Sequence, residues 1–328
     1  MKLLVLSAPA VHELVSHAEC ADAMRAALAA LARGQADQPL RTVLKPAGAA
    51  GMLGLMPSYR RGEAGAYAVK AICIFPGNPV LGLDTHQGVV LLSSAQTGEP
   101  LALLNASAVT ELRTAATSVV ATGLLARDDA TELAIIGTGV QARAHLLAIA
   151  ASRRLTQVRI AGRAAAAAAR FAAEMAGHTD AEVTACGSAA EAVAGAGIVV
   201  TATSSAEPVL RREWLAPGTH INAVGACLPH ARELDTATVA AAALFADSRE
   251  SVRGESGDYL LALAEGAIEP DHIRAEIGEI LIGSAPGRSD AGQITVFESL
   301  GVAVEDLATA SLAVSKARES GAGVWVEF

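Results

Sequence analysis

From Glu132 to Ala246 the hydrophobic pattern repeats one unit: a short apolar run, a small-residue turn, then apolar positions at helical spacing. Leu133–Ile136, Val158–Ala161, Glu182–Ala185, Ile198–Ala202, His220–Val224 and Ala243–Ala246 are predicted strands. Val140–Ser152, Ala164–Ala176 and Ala189–Ala194 are predicted helices. Strands that are apolar along their whole length have no solvated face. Their alternation with helices implies a parallel sheet covered on both sides, an α/β fold. The alanine run Ala164–Ala169 fits a crossover helix, since alanine is the strongest helix former and strands lie on either side.

The first third is patterned differently. Val11–Arg33 carries apolar residues at helical spacing up to a Gly34 stop. Arg41–Leu44, Gly51–Met56, Ala66–Ile74 and Val89–Ser94 are short apolar or alternating runs. Pro57, Pro76-Gly77-Asn78-Pro79 and Gly98-Glu99-Pro100 punctuate them, as turns in a mostly antiparallel sheet do. Thr110–Ala126 is a predicted helix leading out of this region. Beyond Ala246 the chain reads as mainly helical, with a Gly/Ser/Pro-rich loop at Gly283–Gly292. The helical spacing of Val302–Ser315 makes it a candidate for returning the chain to its first part.

Composition narrows the function classes. A length of 328 residues suggests two domains, and 52% hydrophobic against 18% charged residues supplies large cores rather than disorder. A formal charge of −9 argues against nucleic acid as a partner, because phosphate binding needs a basic face. Cys20, Cys73, Cys186 and Cys227 form no CxxC pair, so they read as reduced thiols, with no disulfide frame and no metal site. The opening MKLLVLSAPA is too short an apolar stretch for a signal peptide. No run approaches the ~18 apolar residues of a membrane span. The expectation is a cytoplasmic protein.

Gly137-Thr138-Gly139-Val140-Gln141-Ala142 follows a predicted strand and opens a predicted helix. In a GxGxxA loop so placed, the first glycine permits the tight turn and the second lets backbone approach a pyrophosphate. The third small residue permits close helix–strand packing. The segment is therefore expected to be the dinucleotide loop of a Rossmann domain. At the end of the next strand an acid would bond a ribose 2′-hydroxyl, but Ala161-Gly162-Arg163 holds none. Arg163 suits a 2′-phosphate, which favours NADPH with NADH as the second choice, unless it is simply a surface arginine.

Arg41, Lys70 and Arg113 are scattered cations in the first part. Lys70 interrupts the apolar run Ala-Tyr-Ala-Val-Lys-Ala-Ile-Cys-Ile, and a lysine buried in a strand needs a partner. A structural ion pair and a ligand site both satisfy that need.

Several ordered stretches resemble the ornithine cyclodeaminase/mu-crystallin family over nearly the whole length. They are Thr85-His86-Gln87-Gly88, Leu112-Arg113-Thr114-Ala115-Ala116, the glycine loop, and Pro217 through Ala226. Arg232-Glu233-Leu234-Asp235, Glu255-Ser256-Gly257-Asp258 and Thr295 through Gly301 continue the series. The resemblance implies a Rossmann domain over residues 119–306, and an α+β substrate and dimerisation domain from residues 1–118 and 307–328. It implies a homodimer, with the active site in the cleft facing the Rossmann domain. It places Arg41, Lys70 and Arg113 on a substrate carboxylate, and Thr85, Thr201, Thr203, Ser299 and Leu300 near the cofactor. His230, close to the Cys227 loop, reads as a solvent-exposed histidine.

One departure matters. Ornithine cyclodeaminases of the family carry an aspartate just after the fifth Rossmann strand, where Cys227 stands here. Losing that carboxylate removes a base for amine chemistry. The pattern Ala223-Val224-Gly225-Ala226 followed by Pro229 and Arg232 to Asp235 looks more like the ketimine-reductase branch. That branch implies hydride transfer to C2 of a cyclic imino acid, Δ1-pyrroline-2-carboxylate or Δ1-piperideine-2-carboxylate, giving L-proline or L-pipecolate. Lys70 is then the candidate proton donor or electrostatic partner, and Cys227 a substrate neighbour. Two other readings stand beside it. One is an ornithine cyclodeaminase or alanine-dehydrogenase-like enzyme, the other a dinucleotide-dependent ligand carrier with little turnover.

Overall fold

The computed structural model describes residues 2–62 and 65–327, and contacts divide it into two units, Met1–Arg113 with Gly301–Phe328 and Thr114–Leu300.

In the first unit the strands are β1 (Lys2–Leu6), β2 (Ala36–Asp37), β3 (Thr42–Leu44), β4 (Met52–Arg60), β5 (Ala66–Ile74), β6 (His86–Ser94) and β7 (Pro100–Asn105). The sheet order is β7–β6–β5–β4–β2, with β3 also on β4. β1 lies parallel against β7, and a strand from the far end of the chain, Val324–Glu327, pairs with β1 antiparallel. Pro57 falls between the parts of β4 that pair with β3 and with β2, so its missing N–H costs no rung on that side. Helices His17–Ala32 and Ala303–Ser320 pack together, and the second also lies on β4, β5 and β6.

Alternation along β5 turns Ala66, Ala68, Lys70 and Ile72 inward and leaves Tyr67 outward. The outer face of the central strands is also apolar, with Leu55, Tyr67 and Val89 exposed beside Pro57 and Leu91. Tyr59 stacks on Tyr67 at 4.7 Å, and a hollow of about 630 Å³ opens among Pro39, Pro57, Tyr59, Tyr67, Val69 and Leu91.

The second unit holds β8 (Glu132–Ile136), β9 (Gln157–Ala161), β10 (Glu182–Ala185), β11 (Ile198–Thr201), β12 (His220–Ala223), β13 (Ala243–Ala246), β14 (Ile273–Glu276) and β15 (Thr295–Glu298). The tail strand Val324–Glu327 of the first unit completes the series as β16. Every ladder of this sheet is parallel, in the order β10–β9–β8–β11–β12–β15–β13–β14. The chain runs outward from β8 to β9 and β10, then returns to β11 on the other side of β8. That reversal opens the crevice in which α/β sheets bind ligands, at the carboxyl ends of β8 and β11. The alanine-rich helix, Ala165–Met175, presents Ala168, Phe171, Ala172 and Met175 to the core at helical spacing.

Three local readings of the sequence are corrected. The predicted helix Val11–Arg33 is two helices, Ala8–Leu14 and His17–Ala32. Ser16 starts the second with a reciprocal capping box, accepting the Glu19 N–H while the Glu19 carboxylate accepts its own. Pro100 begins β7 instead of belonging wholly to a turn. The region beyond Ala246 contributes β14 and β15, and β15 inserts between β12 and β13 with all four residues buried. No helix among the described residues is long and apolar enough to cross a membrane.

Candidate active site

The glycine loop joins β8 to helix Val140–Ser152, and each small position has its own cause. Gly137 has φ +134°, donates its N–H to Ala161 at 2.9 Å, and leaves 2.3 Å between a would-be Cβ and the Ala202 carbonyl oxygen. Gly139 caps the helix without a side chain, and a Cβ there would enter open space. Ala142, in the first turn of the helix, is fully buried. Thr138 lies against Gly162, and Val140 is exposed at the helix start. The first turn carries no acid, so unpaired N–H groups and the positive end of the helix dipole remain for an anion. This cradle fits a dinucleotide pyrophosphate.

Arg163 is exposed two residues beyond β9. Thr201 is the last residue of β11 and fully buried, whereas Thr203 stands in the loop after it. Ser299 follows β15, donates its N–H to Ala223, and buries an Oγ without a protein partner; Leu300 is buried beside it. Cys227 is half-buried, with Sγ donating to the Val224 carbonyl at 3.4 Å. His230 is exposed.

In the first unit the structure brings together the three cations that are far apart in sequence. Lys70 faces inward between its cross-strand neighbours Met56 and Val90, both buried. An ammonium in that apolar setting requires a countercharge, and Asp306 supplies it at 2.9 Å. Lys70 also donates to Thr110 Oγ1 at 3.3 Å. Arg113 meets Glu305 Oε2 at 3.0 Å and Asp306 Oδ1 at 3.4 Å. Arg41 donates to the Gly301 carbonyl at 3.0 Å. Gly301 has φ +77°, and a Cβ there would sit 2.3 Å from Arg113 Nη1, so only glycine lets this turn lie under the guanidinium. Burial pushes the Lys70 ammonium down to about 8; Asp306 opposes that shift, while Arg113 and Arg41 reinforce it. Thr85 is half-buried before β6, its carbonyl accepting the Phe75 N–H at 2.9 Å.

Glu305 and Asp306 escaped the sequence reading. Acids in the first turn of a helix are ordinary dipole partners, and only their apolar neighbours, Ala303-Val304 and Leu307-Ala308, hinted that these two face inward. The three cations and these two carboxylates thus share one cluster.

The ornithine cyclodeaminase/mu-crystallin family model matches residues 1–321. Ketimine reductase mu-crystallin of Mus musculus is 40% identical over 292 residues, 88% of this chain and 89% of that protein. The chain belongs to this family. The structure of Thermococcus litoralis Δ1-pyrroline-2-carboxylate reductase in complex with NADH and L-proline superposes with a TM-score of 0.95, at 39% identity over 98% of this chain and 99% of that one. An archaeal alanine dehydrogenase dimer with bound NAD gives 0.94 at 31% identity, over the full length of both chains. The family member described here is an NAD(P)H-dependent oxidoreductase with a Rossmann-type domain, and imine reduction is the chemistry supported at family level.

The ion-pair cluster has a measurable cost when opened. Asp306→Asn leaves Lys70 and the Arg113 Nε without their shared carboxylate, and the expected loss is about 3–5 kcal/mol in a denaturant titration. A loss under about 1 kcal/mol would show that the pair is not what permits Lys70 to be buried.

Proposed function

We propose that this protein reduces the C=N bond of a cyclic imino acid, Δ1-pyrroline-2-carboxylate or Δ1-piperideine-2-carboxylate, to L-proline or L-pipecolate. The observation that carries the reading is the convergence of Arg41, Lys70 and Arg113 at one site, a set of charged donors that suits a substrate carboxylate. Named relatives support it: one is a ketimine reductase, and another is a Δ1-pyrroline-2-carboxylate reductase in complex with L-proline.

In this mechanism Gly137, Thr138, Gly139, Val140, Gln141 and Ala142 cradle the pyrophosphate of the cofactor through backbone N–H groups. Thr85, Thr201, Thr203, Ser299 and Leu300 belong to its remaining walls. Arg163 meets a 2′-phosphate, so NADPH is preferred over NADH. The bound reduced nicotinamide supplies a hydride for C2. Arg41 and Arg113 hold the carboxylate and thereby fix C2. Lys70 is the catalytic acid: its ammonium gives a proton to the imine nitrogen, which takes up the electron pair of the C=N bond. Cys227 offers the substrate a thiol where an amine-deaminating relative needs a carboxylate base. That difference favours imine reduction over cyclodeamination.

The deciding assay follows NADPH and NADH oxidation with Δ1-pyrroline-2-carboxylate, beside pyruvate plus ammonia. Turnover of the cyclic imine with NADPH ahead of NADH is expected. Faster turnover with pyruvate and ammonia would move the enzyme to the alanine-dehydrogenase reading, and tight cofactor binding without turnover would favour a carrier.

Lys70 is charged below about pH 8 and loses its proton above it, so kcat/KM is expected to fall on the alkaline side of that value. Lys70→Arg, whose guanidinium stays charged across this range, should lower kcat and remove that limb. An unchanged limb in the variant would assign it to the imine and overturn the role given to Lys70.

The apolar outer face around Leu55, Tyr67 and Val89 is proposed to be the surface of a homodimer, since a contiguous patch of this kind is costly to leave in water. Sedimentation should give a dimer for the native chain and a monomer for the Leu55→Lys, Tyr67→Lys double variant. A native monomer at micromolar concentration would refute the assignment.

A further inference from the structure

The loops leaving β11 and β12 are held by a side chain that belongs to neither strand. Glu233 is fully buried. Its Oε1 accepts the Thr203 N–H at 2.6 Å and its Oε2 accepts the Gly225 N–H at 2.7 Å. Thr203 lies two residues beyond the end of β11, and Gly225 two residues beyond the end of β12. One carboxylate therefore ties two adjacent loops at the carboxyl edge of the sheet.

The anchor is itself immobilised. The Glu233 carbonyl accepts the N–H groups of Val209 and Leu210, and the N–H groups of Glu233 and Leu234 donate to Asp258 Oδ1 at 2.8 Å each. Gly225 shows how closely the parts are fitted: a Cβ there would lie 2.2 Å from the Thr203 carbonyl oxygen and 2.6 Å from Glu233 Cδ. No ion pair to Glu233 is found among the described residues, and its buried carboxylate rests on two backbone amide donors. Burial raises its pKa and those donors oppose the rise. A neutral amide of the same shape would present one donor to another, because two N–H groups converge on this site.

The position of the clamp gives it a purpose. A dinucleotide lies across the carboxyl ends of the strands with its pyrophosphate at the glycine loop after β8. The β11 and β12 loops lie to the β11 side of that loop, away from β9 and Arg163. On the cofactor reading given above, they face the nicotinamide half. We propose that Glu233 is a positioning residue that fixes the Thr203 and Gly225 loops, so that the nicotinamide half of the cofactor is held by them while the adenosine half depends on the glycine loop and Arg163.

The test compares two ligands on Glu233→Gln. Binding of NADPH and of 2′-phospho-ADP-ribose, which lacks the nicotinamide, is measured by titration calorimetry; NADH and ADP-ribose replace them if that is the coenzyme the protein takes. The expected result is a loss of about tenfold in affinity for the complete cofactor with less than about twofold for the truncated one. Amide hydrogen exchange at Thr203 and Gly225 should rise together. Equal weakening of both ligands would reduce Glu233 to general support of the fold, and unchanged binding of both would remove the clamp; either overturns the proposal. A native protein that binds neither cofactor would instead overturn the cofactor reading along with it. Should Glu233→Gln not fold, Gly225→Ala opens the same clamp from the loop side and carries the same expectations.

Discussion

The carboxylate of Asp306 is the point through which the first unit holds its chemistry. A lysine on the inward face of a central strand, flanked by Met56 and Val90, is tolerable only if its charge is answered in place. The same carboxylate reaches Arg113, and the neighbouring Glu305 takes the other side of that guanidinium. Gly301, under the two arginines, completes the approach because it has no side chain to interfere. The cluster is thus assembled by one helix start, Gly301 to Asp306, packed against one strand face.

The second unit handles buried charge by the opposite device. Glu233 is answered by amide hydrogens, not by a cation, and so binds pieces of backbone to one another. Where the first unit gathers three cations around two carboxylates, the second uses one carboxylate to join two loops. Both depend on glycines at the contact, Gly301 in one and Gly225 in the other, because in each a charged group must touch main chain.

The sequence was readable wherever local pattern decides structure. The β8 strand, the glycine loop and the following helix are specified within one unbroken stretch, residues 132–152, so period, turn and cap agree. The convergence of Arg41, Lys70 and Arg113 was accessible only through family resemblance, because no spacing rule joins residues on a loop, a strand and a helix. Glu305 and Asp306 were hidden for a different reason, since first-turn acids are explained well enough by the helix dipole. β15 was missed because four residues, Thr-Val-Phe-Glu, carry too little periodicity to separate strand from helix. Ser16 did carry its signal, the Glu three residues later, but the uninterrupted apolar spacing of the flanks outweighed it.

The pairing of β16 with β1, and of Lys70 with Asp306, sets an order on biosynthesis. Lys70 and Asp306 are separated by 236 positions, and Arg113 and Glu305 by 192. During synthesis the second unit, made from one continuous stretch, can complete its sheet while the first still lacks a strand, a helix and every acid that allows its lysine to leave water. At the usual ~5–20 residues per second, the nascent chain waits about ten seconds or more with these cations solvated. The Lys70 cluster can therefore form only after Asp306 has been made, and a chain released before that point would carry the sheet of the second unit without the ion pairs of the first.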